Sequence, residues 1–169
     1  MADKTTFTAE EWSRLLSSPM IAGIAITAAD PSGVWGLLKE GMAGGWALLE
    51  ARQSSQANPL VRAVAEDFAT SEGRSAAKTA LQARFSGTTF NDPKNTALSE
   101  LQAVSSVLDG KAPEDSIAFK TWLQEVAKKA AEAGTEGGFL GFGGVAVSEA
   151  EKSTLAEIAV ALGRQSASA

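Results

Sequence analysis

Histidine, cysteine and tyrosine are absent from this 169-residue chain. There is no imidazole base, no thiolate nucleophile and no Cys/His set for zinc. Catalysis would fall to carboxylates, lysine, arginine, hydroxyls and backbone amides. Acids stand side by side at Glu10-Glu11, Glu66-Asp67 and Glu114-Asp115. Successive residues on a helix point about 100° apart, so such neighbours do not face each other across a substrate. Di-metal helical bundles use a Glu-x-x-His pair, which this chain cannot form. Glu10, Glu11, Glu114 and Glu149 stand at expected helix starts, where acids complement the dipole, and Lys128-Lys129 stands in an expected last turn. No nucleophile–base pair can be named. The expectation is a protein that is not an enzyme and uses no catalytic residue, metal or cofactor.

Two glycine-rich segments are more suggestive. Between Gly33 and Trp46, five glycines are interleaved with Trp35, Leu37, Leu38, Met42 and Trp46. An interior helical glycine costs roughly 0.5–1 kcal/mol against alanine, so several in one helix need a reason. Close packing against residues 19–29, themselves small, is one reason. An apolar cavity or hinge walled by tryptophan is another, with Trp35, Met42 and Trp46 as ligand-binding candidates. Membrane insertion as a hairpin is opposed by Asp30, Lys39 and Glu40.

The second segment, GTEGGFLGFGGVAV at 134–147, holds six glycines with Phe139, Leu140 and Phe142. No strand precedes it and no Gly-Lys-Ser/Thr follows, so it is neither a dinucleotide fingerprint nor a P-loop. Glu149 and Glu151 would repel an anion at the helix start that follows. Two readings are left: a loop folded over the bundle, or a surface for a protein partner or a second copy. The second makes Phe139, Leu140 and Phe142 the partner-binding candidates.

The run GGFLGFGGVAVSEAE, followed by LAEIAVALG, resembles the C-terminal half of small uncharacterised bacterial helical proteins. The resemblance covers about a quarter of the chain. It implies a helical fold and no particular catalytic residue. Ala28-Ala29-Asp30 and the Val147-Ser148 helix start are also similar to tellurite-resistance B-like helical domains. Proline follows Asp30 where that family has an Asp-Gly turn, so no metal ligand is carried over.

The elements that would position these segments are helices. Alanine, the best helix former, occurs 32 times, and β-branched runs are scarce. Four of five prolines follow a good cap: Ser18-Pro19, Asp30-Pro31, Asn58-Pro59 and Asp92-Pro93. The fifth, Pro113, follows Ala112 and precedes two acids. Thr8 with Glu11 and Ser148 with Glu151 read as capping boxes, and Phe7 with Trp12 as a hydrophobic staple. Gly87, Gly110, Gly134 and Gly163 read as stops. The expected helices are 9–17, 19–29, 31–52, 59–86 (broken near Gly73), 93–109, 113–133 and 149–162. Apolar stripes run through Trp12-Leu15-Leu16, Leu60-Val64-Phe68, Leu98-Leu101-Val104-Leu108, Phe119-Leu123-Val126-Ala130 and Leu155-Ile158-Leu162. The expected fold is all-α, a multi-helix bundle of about seven helices in a single compact domain over 1–169. Residues 1–7 and 164–169 are expected to be flexible tails.

Net charge is −5, and no third of the chain is basic, which argues against nucleic-acid binding. The start lacks the pattern of a secretory signal, and no apolar run spans a bilayer, so the expected location is cytoplasmic, with no membrane partner. The functional expectation is a non-enzymatic interaction or scaffold protein using 134–147. The alternative is a carrier or sensor of a small apolar ligand held between 19–29 and 31–52.

Overall fold

A computed structural model describes residues 2–29, 42–54, 56–86, 92–136 and 147–163. Among these residues there are seven α-helices and no strand. They are α1 (Ala9–Ala29), α2 (Met42–Gln53), α3 (Pro59–Phe68), α4 (Ser71–Phe85), α5 (Pro93–Lys111), α6 (Pro113–Glu136) and α7 (Glu149–Ala161). The all-α bundle expected from the sequence is the architecture observed.

The starts behave largely as their residues dictate. Asn58 Oδ1 accepts from the amides of Leu60 and Val61, and Asp92 accepts from Asn95. Both hand the chain to a proline at the first helical position. Ser148 and Glu151 exchange hydrogen bonds in a complete capping box. Thr8 and Glu11 do the same at α1, the Thr8 amide donating to Glu11 Oε2 at 2.7 Å. Phe7 stacks on Trp12 at 5.9 Å between ring centroids, completing the staple.

Pro19 departs from expectation. It starts no helix, because α1 runs unbroken from Ala9 to Ala29 with Pro19 inside. An interior proline leaves the carbonyl four residues back without its amide donor. That carbonyl is Leu15's, and the buried Ser18 hydroxyl donates to it at 2.7 Å. Ser18, expected as a cap on the following turn, thus repairs the turn behind it.

Glycine stops divide as well. Gly163 follows α7 with φ of 75°, the left-handed C′ conformation. Gly110 and Gly134 stop nothing, since α5 continues to Lys111 and α6 to Glu136. Gly87 lies outside the described residues. The 59–86 segment breaks near Gly73 as expected, at Ala69 and Thr70, and Thr70 caps α4 by accepting from the Gly73 amide at 2.9 Å. The merger of 9–17 with 19–29 and the division of 59–86 offset each other in the helix count.

The core is organised around α1, which packs against all six other helices. Between Leu15 and Thr27, every side chain except that of Met20 is buried. A helix apolar on all sides is stable only when surrounded. Leu101, Val104 and Leu108 of α5 and Phe119, Leu123 and Val126 of α6 close over it. Leu60 and Val64 of α3 and Ile158 of α7 complete the same core, while Leu98, Phe68, Ala130 and Leu155 sit at its edge. Burying one such large side chain contributes about 1.5–3 kcal/mol.

Residues 2–7, read from the sequence as a tail, contain a 3-10 turn at Lys4–Thr6 and are joined to the body. The Ala2 amide donates to Asp115, the Lys4 ammonium reaches Asp67, and Phe7 is buried. Residues 164–169 lie outside the described residues. No helix among the described residues is long and apolar enough to cross a membrane.

Candidate binding groove

The side chains singled out in the sequence fall almost wholly outside the described residues. Trp35, Phe139, Leu140 and Phe142 lie outside them. Met42 and Trp46 lie on the backbone of α2, and their side chains fall outside them.

The acid pairs are within the described residues, and each has a structural task. Glu11 closes the α1 capping box and takes the Lys111 ammonium at 2.7 Å. The Lys111 hydrogen bond leads the contacts that hold Glu11 below its ordinary pKa. Asp67 accepts from the Trp12 indole at 2.5 Å and from Lys4 at 3.0 Å. Burial raises its pKa, and the hydrogen bonds from Trp12 and Lys4 outweigh that, leaving it lowered. Asp115 is buried and accepts from Asn58 at 2.9 Å and from Ala2. No group of three or more metal-ligating acids gathers among the described residues.

Among the described residues, polar side chains and open space meet at several places. At the first, the Lys120 ammonium contacts both oxygens of Asp109 at 2.7 Å, and the Ser116 hydroxyl donates to the same carboxylate at 2.6 Å. Lys120, foremost among the contacts, lowers the Asp109 pKa. The Ser116 hydroxyl donates to Asp109 and not to the Lys120 nitrogen, so the pair is not arranged as a nucleophile and its base. The cluster instead ties α5 to α6. Gly163 lies beside this cluster, and its φ of 75°, not any crowding by Lys120, is what favours glycine there.

The second place is a hollow of about 430 Å³ between α2, α3 and α6. Trp122 and Val126 supply apolar wall, and Glu50 and Lys129, which pair with each other, line it too. Trp122 packs edge-on against Phe119 at 5.2 Å.

The third is a groove of about 940 Å³ between α1 and α4. Along α4, Ser71, Ser75, Thr79 and Ala83 recur every four residues, which places them on one face. Small side chains at this spacing leave the space open. From α1 come Glu10, Ser13 and Arg14, and Arg84 stands near the end of α4. Behind the two arginines stands Glu100 of α5. Its Oε2 is 2.9 Å from Arg84 Nε and 3.2 Å from an Arg14 nitrogen. Glu10 lies farther from Arg14, at 3.7 Å, and its side chain is 82% exposed. The Glu100 carboxylate thus contacts both guanidiniums.

Sequence reasoning missed this convergence. Arg84 has no basic partner on its own helix face, and its neighbour comes from a helix some seventy positions earlier. No local spacing encodes that approach. Comparison with family models, curated proteins and solved structures finds no significant match to this chain.

Proposed function

We propose that the chain is a non-enzymatic helical interaction or scaffold protein. Its working surface is the segment rich in glycine and phenylalanine, with Phe139, Leu140 and Phe142 as the partner-binding side chains. The observation that supports this reading is the anchoring of both flanks. On one side, α6 continues to Glu136, so Gly134 belongs to the helix, and Ala127 and Ala131 are buried in the core. On the other side, Val147 packs against the core and the Ser148–Glu151 capping box fixes the start of α7. The structural use of Glu11, Asp67, Asp109 and Asp115 is consistent with binding rather than catalysis.

The partner is a protein with an apolar patch, or a second copy of this chain. The test is the double substitution F139S/F142S. Sedimentation should give a lower oligomer mass for the variant than for the wild type, or a co-purifying protein should be lost. An unchanged mass and unchanged co-purification, with the thermal transition preserved, would remove this surface from consideration.

A further inference from the structure

We propose that residues 2–7 are an acid-released strap. They close over Trp12 while Asp3, Asp67 and Asp115 are charged, and lift away as those carboxylates protonate, with the helical core still folded. The inference does not depend on the preceding section.

Among the described residues the strap is attached at three positions. Ala2 donates its amide to Asp115 Oδ2 at 2.8 Å, at the start of α6. The Lys4 ammonium reaches Asp67, near the end of α3, at 3.0 Å. Phe7 is buried and packs on the Trp12 ring of α1. Within the strap, Asp3 holds the 3-10 turn by accepting from the Thr5 amide and hydroxyl at 2.8 and 2.6 Å.

Both polar attachments, and the turn between them, end on a carboxylate. An ionised carboxylate attracts an ammonium and accepts strongly from an amide; a protonated one does neither. The core beneath has no such dependence. Leu15, Leu16 and Ile21 are apolar and buried, and their contribution rests on area removed from water. Acid therefore acts on the strap first. At neutral pH the ties are charged, and the strap melts with the core.

The surrounding charges fix the direction. Lys4 is the strap's own cation. The neighbouring elements carry Glu10 and Glu11 at the start of α1, Glu66 beside Asp67 on α3, Glu72 on α4 and Glu114 beside Asp115 on α6. Lys111 of α5 is drawn to Glu11, and Arg74 of α4 to the Ala69 carbonyl. Burial raises the Asp67 pKa and the bonds from Trp12 and Lys4 outweigh it, while the bonds from Thr5 lower that of Asp3. A carboxylate depressed in the closed form favours closure above its open-state pKa, and that preference is lost as pH falls through the closed-state value. The strap is therefore shut at neutral pH and opens below about pH 4.

Opening has a structural consequence. A hollow of about 390 Å³ lies beside the strap, lined by Lys4 and Phe7 on one side and by Trp12, Leu16 and Ala76 of α1 and α4 on the other. Trp12 is only 3% exposed with Phe7 in place. Withdrawing Phe7 uncovers the indole face on which it packs and widens that hollow. The strap thus decides whether this apolar wall is accessible.

The experiment follows the full chain by NMR from neutral to strongly acidic pH. Nuclear Overhauser contacts between the Phe7 and Trp12 rings report the strap, and the methyl signals of Leu15 and Ile21 report the core. Loss of the ring contacts before any change in the core methyls is expected. K4M, at an exposed position outside the core, takes the cation from Asp67 and should raise the release midpoint by roughly half a pH unit. D3N, also exposed, should raise it as well. Ring contacts that persist until the core methyls collapse, in both wild type and K4M, would overturn the proposal. So would early release at one unchanged pH in wild type, K4M and D3N, which would place the acid-sensitive groups away from the strap.

Discussion

At the scale of single residues, the carboxylates explain why so acidic a chain presents few candidates for acid–base chemistry. Each well-placed acid has a donor of its own. Asp67 is the clearest case, since it joins the N-terminal turn, the first helix and α3 through Lys4 and Trp12. Its pKa is lowered in the folded state, so the folded protein favours the charged form. A depressed carboxylate stabilises the fold above its unfolded pKa, and that stability is lost as pH falls through the folded value. D67N should therefore lower stability at neutral pH by about 1–3 kcal/mol, the scale of a charge-assisted hydrogen bond. The deficit against wild type should shrink as pH falls below about 4, where the unfolded aspartate also protonates. Denaturant midpoints measured between neutral and strongly acidic pH would check this. A deficit that does not change with pH would assign the effect to packing.

Two glycines make opposite predictions at the scale of elements. A Cβ at Gly73 would stand 2.6 Å from the Asp67 carbonyl carbon, inside the tight return from α3 to α4. Backbone cannot give way there as a side chain can, so G73A should destabilise by about 1–3 kcal/mol. Gly110 lies in the last turns of α5, and a Cβ there meets nothing within 4 Å. G110A should therefore stabilise by about 0.4–1 kcal/mol, by restricting the unfolded chain and favouring helix. Thermal melts of the two variants against wild type test both signs together. The same elements show where a local motif is ambiguous. Ser-Pro reads as a helix start from its neighbours alone, and Asn58-Pro59 and Asp92-Pro93 obey that reading. At Ser18-Pro19 the surrounding helices bury α1 on every side, and continuing it covers more apolar surface than breaking it. Ser18 can also donate to the Leu15 carbonyl, which reduces the cost of the missing amide.

For the whole molecule, the arrangement around one central helix concentrates stability there. Leu15 is fully buried in a helix that packs against all six others. L15A should cost about 2–5 kcal/mol, since the site is enclosed and collapses poorly. Because one core holds all seven helices, the loss should move a single cooperative transition. Two separated transitions by circular dichroism and tryptophan fluorescence would contradict that picture. Partly exposed ion pairs such as Lys111–Glu11 at 2.7 Å and Lys94–Glu157 at 2.9 Å join α5 to α1 and to α7, and each contributes little by comparison.

The sequence by itself determined the class of fold, most helix starts and the apolar faces. Those properties are local: a cap bonds amides two or three residues away, and a stripe repeats every turn. The capping boxes at Thr8 and Ser148, the stop at Gly163 and the Leu101-Val104-Leu108 face were all legible for that reason. Tertiary structure alone decided that α1 runs through Pro19, that Gly73 is needed for a close backbone approach and that Gly110 is not needed as a stop. It alone brought Arg14 of α1 and Arg84 of α4 to one carboxylate on α5. Such meetings depend on how helices cross once the core has formed, and spacing along the chain carries no record of them.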